Sequence, residues 1–262
     1  MPENRCGVAA FSSGATIGAL GGLIGLGGAE FRLPLLISLF RFHGLEAVIL
    51  NKAISLIVVA SALPFRARTV PLAEIAAHWP VIINLLAGSL AGAYAGAAWA
   101  IRLKTATLYK IIAALLVVIS GVLLFAHDVT ANAPAFTGVP LVVVGVVAGG
   151  VIGVIASLLG VAGGEFLIPT LVLLFGADVK LAGSLSLAVS LPTMLVGFAR
   201  YSRDRSFGVL RANRGFLLVM ALGSIVGTFI GGLLVGLVPS SILLPGLAAL
   251  LVISAVKVWK HH

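Results

Sequence analysis

Uncharged, mostly apolar residues run along this chain in long blocks, for example 8–26, 111–126, 139–159 and 216–238. A half-buried strand would alternate every second residue, and barrel strands would do so over segments of about 10 residues. Continuous blocks of about 20 residues are instead the length at which an α-helix crosses a bilayer. The pattern predicts an all-α polytopic membrane protein. Its breaks group the spans into two sets. Each set is one long, glycine-broken segment followed by three ordinary spans: 8–42, 46–65, 75–101 and 107–126, then 139–176, 180–199, 214–238 and 241–259.

The two sets repeat one another at a constant shift of 135 positions. Gly25, Gly28, Glu30, Phe31 and Pro34 fall on Gly160, Gly163, Glu165, Phe166 and Pro169. Ser55 and Arg68 fall on Ser190 and Arg203, and the ladder Gly88, Gly92, Gly96 falls on Gly223, Gly227, Gly231. Two homologous halves follow, a first transmembrane repeat at 8–126 and a second at 139–259. The stretch 127–138, with Asp128, Asn132 and Pro134, reads as the linker between them.

The broken segment decides how the halves are oriented. At 1.5 Å per residue, 8–42 is about 50 Å of helix, too long for one crossing, and the arm after the break is too short to cross alone. A re-entrant hairpin fits, with its turn near the midplane, where irregular backbone is tolerated only if protein or a wet cavity satisfies it. One hairpin plus three crossings would invert the second half relative to the first. On that reading 12 of the 17 Lys and Arg residues face the cytoplasm, three (Arg66, Arg68, Lys180) face outward, and Arg32 and Lys52 stay inside the membrane. Four crossings per half would make the repeats parallel and split the loop cations ten to five. The stronger bias favours inversion. The matched pair Arg68 and Arg203, which would then face opposite sides, argues the other way.

Composition agrees with lipid as the main solvent. The chain is 60% hydrophobic and 10% charged, against about 25% charged in a soluble domain. Its net charge of +9 would suggest nucleic acid in a soluble protein, but here basic loops beside anionic lipid account for it. The single cysteine, Cys6, leaves no internal disulfide or cysteine-rich metal site. No cleavable signal is read at the N-terminus. Scattered histidines lack metal spacing, and nothing resembles an enzyme's catalytic constellation, so no catalytic residue, metal or cofactor is expected.

Candidate chemistry lies in the ionisable groups inside the apolar segments, which are functional by default. Glu30 and Glu165 occupy equivalent places and read as a protonatable pair; alternatively, each is tied to a basic neighbour or to backbone amides. Arg32 and Lys52 occur only in the first half, opposite Leu167 and Leu187. They would hold an anionic substrate, or pair with the glutamates. Asn51, Ser184 and Ser186 flank these charges as further donors, unless they bond back to their own helix carbonyls. Gly27, Gly28, Gly163 and Gly164 make the turns and expose helix N-termini that favour an anion. The glycine ladders read as close helix packing, with a homodimer interface as the other option.

The repeated glycine-rich break closed by proline (Gly25, Gly27, Gly28, Pro34; Gly160, Gly163, Gly164, Pro169) resembles the sulfite-exporter TauE/SafE family of membrane transporters across nearly the whole chain. The resemblance implies transport of a small anion, an organosulfonate, sulfite or a related compound, across a bacterial inner membrane. Together the residues suggest a secondary transporter for a small, sulfur-containing or carboxylate anion. It would work by alternating access, with Glu165 and Glu30 coupling protons. The alternatives are a cation/proton exchanger using Glu30 and Glu165, and a membrane scaffold without transport.

Overall fold

The computed structural model describes residues 3–23, 28–69, 71–125, 136–234 and 240–260. Most of the expected linker, 127–135, lies outside them. All regular structure among the described residues is helical: α1 Glu3–Leu23, α2 Ala29–Ser38, α3 Gly44–Thr69, α4 Leu72–Ala77, α5 Trp79–Arg102, α6 Thr105–Phe125, α7 Val139–Leu159, α8 Gly164–Phe175, α9 Val179–Tyr201, α10 Gly208–Ala212, α11 Arg214–Leu233 and α12 Ser240–Trp259, with a 3-10 turn at Arg205–Phe207. Six of them, α3, α5, α6, α7, α9 and α11, carry stretches long and apolar enough to cross a membrane. The chain is an all-α, polytopic membrane protein. The expected span 75–101 is interrupted, with α4 ending at Ala77 and α5 starting at Trp79. Pro80 is the cause, since it has no N–H to return to the carbonyl of Ala76.

Both glycine-broken segments fold back on themselves. Gly163 lies against Ile152 and Ala156, and Phe175, at the far end of α8, reaches Gly145 near the start of α7. Contacts that descend α7 while ascending α8 make an antiparallel hairpin. In the first segment Gly28 touches the backbone of Ile17, so the chain has turned back by the start of α2. Gly28 (φ 72°) and Gly163 (φ 82°) are the left-handed residues that set each return.

Interdigitated glycines hold the bundle. A methyl group on Gly14, Gly18 or Gly22 of α1 would overlap the backbone of Met220, Ser224 or Thr228 in α11. One on Gly149 or Gly153 of α7 would overlap Leu85 or Ser89 in α5. Partner numbers rise together, so α1 runs parallel to α11 and α7 parallel to α5. Small residues at such crossings let backbones touch where lipid supplies no hydrophobic drive. Adding 135 to the α1 member and subtracting it from the α11 member turns the Gly18–Ser224 contact into Gly153–Ser89. The α5 ladder Gly88, Gly92, Gly96 likewise meets Val146, Gly150 and Val154 as Gly223, Gly227, Gly231 meet Phe11, Ala15 and Ala19.

The centre belongs to α3 and α9. Each is 61% buried along its spanning window, against 33–39% for α5, α6, α7 and α11. These two helices also carry half of the buried polar side chains among the described residues: Asn51, Lys52 and Ser55 on α3, and Ser184, Ser186, Ser190 and Thr193 on α9. Outer helices present Val142, Val147, Leu218, Leu222, Phe229 and Ile253 outward, as a lipid-facing belt requires. Three helices that each run the length of the bundle, α3, α5 and α6, separate the hairpins, so the hairpins open at opposite ends. The end holding Arg41, Arg102, Lys104 and residues 200–214 is the basic one.

The two ends differ in packing. At the basic end Phe216 stacks against Phe40 (centroids 4.8 Å apart) and Phe42 (5.3 Å). At the opposite end Val81 stands at the position equivalent to Phe216, and a cavity of about 310 Å³ opens among His78, Val81, Phe175, Asp178, Leu181 and Leu185.

Candidate functional site

Each hairpin tip places a glutamate in the first turn of a short helix, Glu30 in α2 and Glu165 in α8. Both are buried and lie close enough to interact. Neither oxygen of Glu30, and not Oε2 of Glu165, accepts a hydrogen bond among the described residues. Proline four residues on sharpens the effect: Pro34 and Pro169 have no N–H to give the carbonyls of Glu30 and Glu165. The amides opening the two short helices likewise have no intrahelical acceptor. Their N-caps, Gly28 and Gly163, carry no side chain to supply one. The hairpin tips therefore concentrate acceptors and donors in the interior.

Asn51, the eighth residue of α3, ties this region together. Its Nδ2 donates to the carbonyl of Ala29 and to that of Leu159, at 3.0 Å each. Those carbonyls belong to the start of α2 and the end of α7, so one amide bridges both hairpins. Its Oδ1 accepts from Nη1 of Arg32 at 3.4 Å, and the same Nη1 donates to Oγ of Ser55 at 3.1 Å. Arg32 is fully buried and feels Glu30 nearby.

Lys52, one residue on, is also fully buried and turns toward the second half. Its Nζ donates to the carbonyl of Ala156 at 3.3 Å. That carbonyl lies in the last turn of α7, where a cation suits the negative end of the helix dipole. Gly197 of α9 leaves the room: a Cβ there would sit 3.0 Å from Cε of Lys52 and 2.9 Å from Oγ of Ser157. Hydroxyls continue the polar line. Ser157 donates to the carbonyl of Ala93, Tyr201 donates to that of Ser157, and Ser89 shares a 2.7 Å hydrogen bond with Thr193.

Not every expected residue joins this cluster. Ser184 and Ser186 donate to the carbonyls of Lys180 and Gly183 on their own helix. Gly27 lies outside the described residues, and Gly164 opens α8. Ser157, Thr193, Tyr201 and Gly197 were not singled out by sequence reasoning. Ser157 and Thr193 stand opposite Gly22 and Val58 in the 135-residue register, so the repeat carried no signal for them. Neither the 310 Å³ cavity nor a second one of about 630 Å³ at the basic end is lined by a residue of the buried polar cluster. Among the described residues no group of three His, Cys, Asp or Glu side chains could hold a metal ion.

The cluster suits a small charged solute. It offers positive groups, neighbouring carboxyls and the starts of two short helices in one buried place, at the tips of the two hairpins. No match was found among curated proteins or among solved structures. The family model described as Sulfite exporter TauE/SafE matches residues 5–258, both hairpins and all six spanning helices included, and the chain belongs to that family of membrane transporters.

Proposed function

We propose that the protein is a secondary transporter moving a small anion by alternating access, with the two halves acting as an inverted pair. The observation that carries this reading is the meeting of two opposed hairpin tips around Arg32, Asn51, Lys52, Glu30 and Glu165. Discontinuous helices at mid-bundle are the usual setting of a transporter's site. Arg32, Lys52 and the amides at Gly28, Gly163 and Gly164 would hold the anion. Glu165 and Glu30 would carry protons, because burial disfavours leaving two neighbouring carboxylates charged together. The family's description points to sulfite; organosulfonates and short carboxylates share its charge and size. A bacterial inner membrane fits the basic end as the cytoplasmic one.

Purified protein in liposomes tests this directly. Uptake of labelled sulfite, thiosulfate, a sulfonate or a short carboxylate, lost in Arg32→Ala, is the expected result. No uptake of any of them, with ²²Na⁺ or ⁴⁵Ca²⁺ entering instead, would replace this reading by the cation/proton exchanger. One observation favours that rival: Arg32 and Lys52 already donate to protein acceptors, whereas three glutamate oxygens accept nothing among the described residues.

A further inference from the structure

The cavity of about 630 Å³ at the basic end lies away from the hairpin tips. It is lined by Phe207, Gly208, Leu210, Arg211, Arg214, Leu217 and Leu218, where a surface connection enters α11. Both arginines are exposed, and Leu218 is 56% exposed on the lipid side of α11, opposite the buried Met220, Gly223 and Ser224. Nε of Arg214 donates to the carbonyl of Arg211 at 3.4 Å, which holds the two basic positions side by side. A basic rim above an apolar wall at the membrane surface matches an amphiphile with an anionic head.

The corresponding corner at the other end gives a comparison within the same molecule. There the positions of Arg211, Arg214, Leu217 and Leu218 are taken by Ala76, Trp79, Ile82 and Ile83. The apolar wall is kept, but the cations are not, and an exposed Trp79 suits an interface without charge. The arginines are therefore no requirement of the corner's fold. They occur only where the positive-inside bias places anionic lipid.

We propose that this groove is a binding site for one anionic phospholipid of the cytoplasmic leaflet. Arg211 and Arg214 contact the headgroup phosphate, and an acyl chain lies along Leu217 and Leu218. The site is independent of the transport reading, because its readout is lipid retention.

The test uses the full chain in neutral detergent, with native mass spectrometry of bound phosphatidylglycerol and phosphatidylcholine. The expected result is selective retention of phosphatidylglycerol. The double variant Arg211→Ala/Arg214→Ala should weaken it about thirtyfold, the two interfacial cations contributing about 1 kcal/mol each. Arg102→Ala/Lys104→Ala, at the same end but outside the groove, should keep it. Equal loss in both double variants would show general surface charge and overturn the site. Displacement of the lipid by millimolar inorganic phosphate would assign the arginines to a free anion and also overturn it. Leu218→Glu, at an exposed position, is the check should the arginine variant fail to fold; unchanged retention there counts against the groove.

Discussion

At the scale of single residues, Asn51 does what no apolar side chain could: it satisfies a carbonyl from each hairpin and orients Arg32. A buried carbonyl left without its donor costs about 1–3 kcal/mol. Asn51→Ala strands the Leu159 carbonyl at the end of α7, removes the second donor to Ala29, and should lower the melting temperature in detergent by a few degrees; an unchanged melting curve would show the bridge is dispensable. Glu165→Gln keeps the shape and removes the titrating group. If Glu165 carries protons, uptake driven by a pH gradient falls on the order of tenfold or more while anion exchange at equal pH persists. Retained pH-driven uptake would exclude Glu165 as the coupling group. The charged members of the cluster were legible in the sequence because charge stands out in apolar context. Ser157, Tyr201 and Gly197 were not, because their part depends on which helices touch across the halves, and an isolated hydroxyl or glycine in a membrane helix reads like any other.

At the scale of elements, the return of each broken segment followed from length alone. Ten to twelve residues of helix after a glycine turn reach about 15–18 Å, half a bilayer, and α2 and α8 are 10 and 12 residues long. Which helices the glycine ladders join was not legible, since small residues announce close packing without naming the partner. The structure pairs them across the halves, α5 with α7 and α11 with α1. This predicts a sharp contrast. Gly92→Leu drives a side chain into the backbone of Gly150 and should abolish a monodisperse, folded protein. Gly121→Ala, with open space around it, should be neutral or slightly stabilising, as alanine is the better helix former by up to about 1 kcal/mol. Equal tolerance of both in size-exclusion chromatography and thermal melts would contradict the crossing.

At the scale of the whole molecule, the two hairpins open at opposite ends. With Cys6 replaced by serine, cysteines at the exposed Arg41 and Asp178 sites should react with an impermeant maleimide from opposite sides of the membrane. Labelling from one side would make the halves parallel and remove the basis for alternating access. The unlike ends have a consequence of their own. The ring trio Phe40, Phe42 and Phe216 packs together at the basic end, beside the groove of about 630 Å³, while Val81 leaves the equivalent corner of the other end without it. A two-way carrier built on matched halves would idle with equal populations facing each compartment; on the proposed mechanism the extra ring packing at the basic end would tilt that balance outward. Phe216→Ala, by removing a few kcal/mol of ring packing, should move the idle population toward the cytoplasm. A cysteine at Leu50, fully buried in α3 beside Asn51, would then gain reactivity from that side. If the carrier's resting orientation is unaffected by losing the ring, the two mouths differ in appearance only.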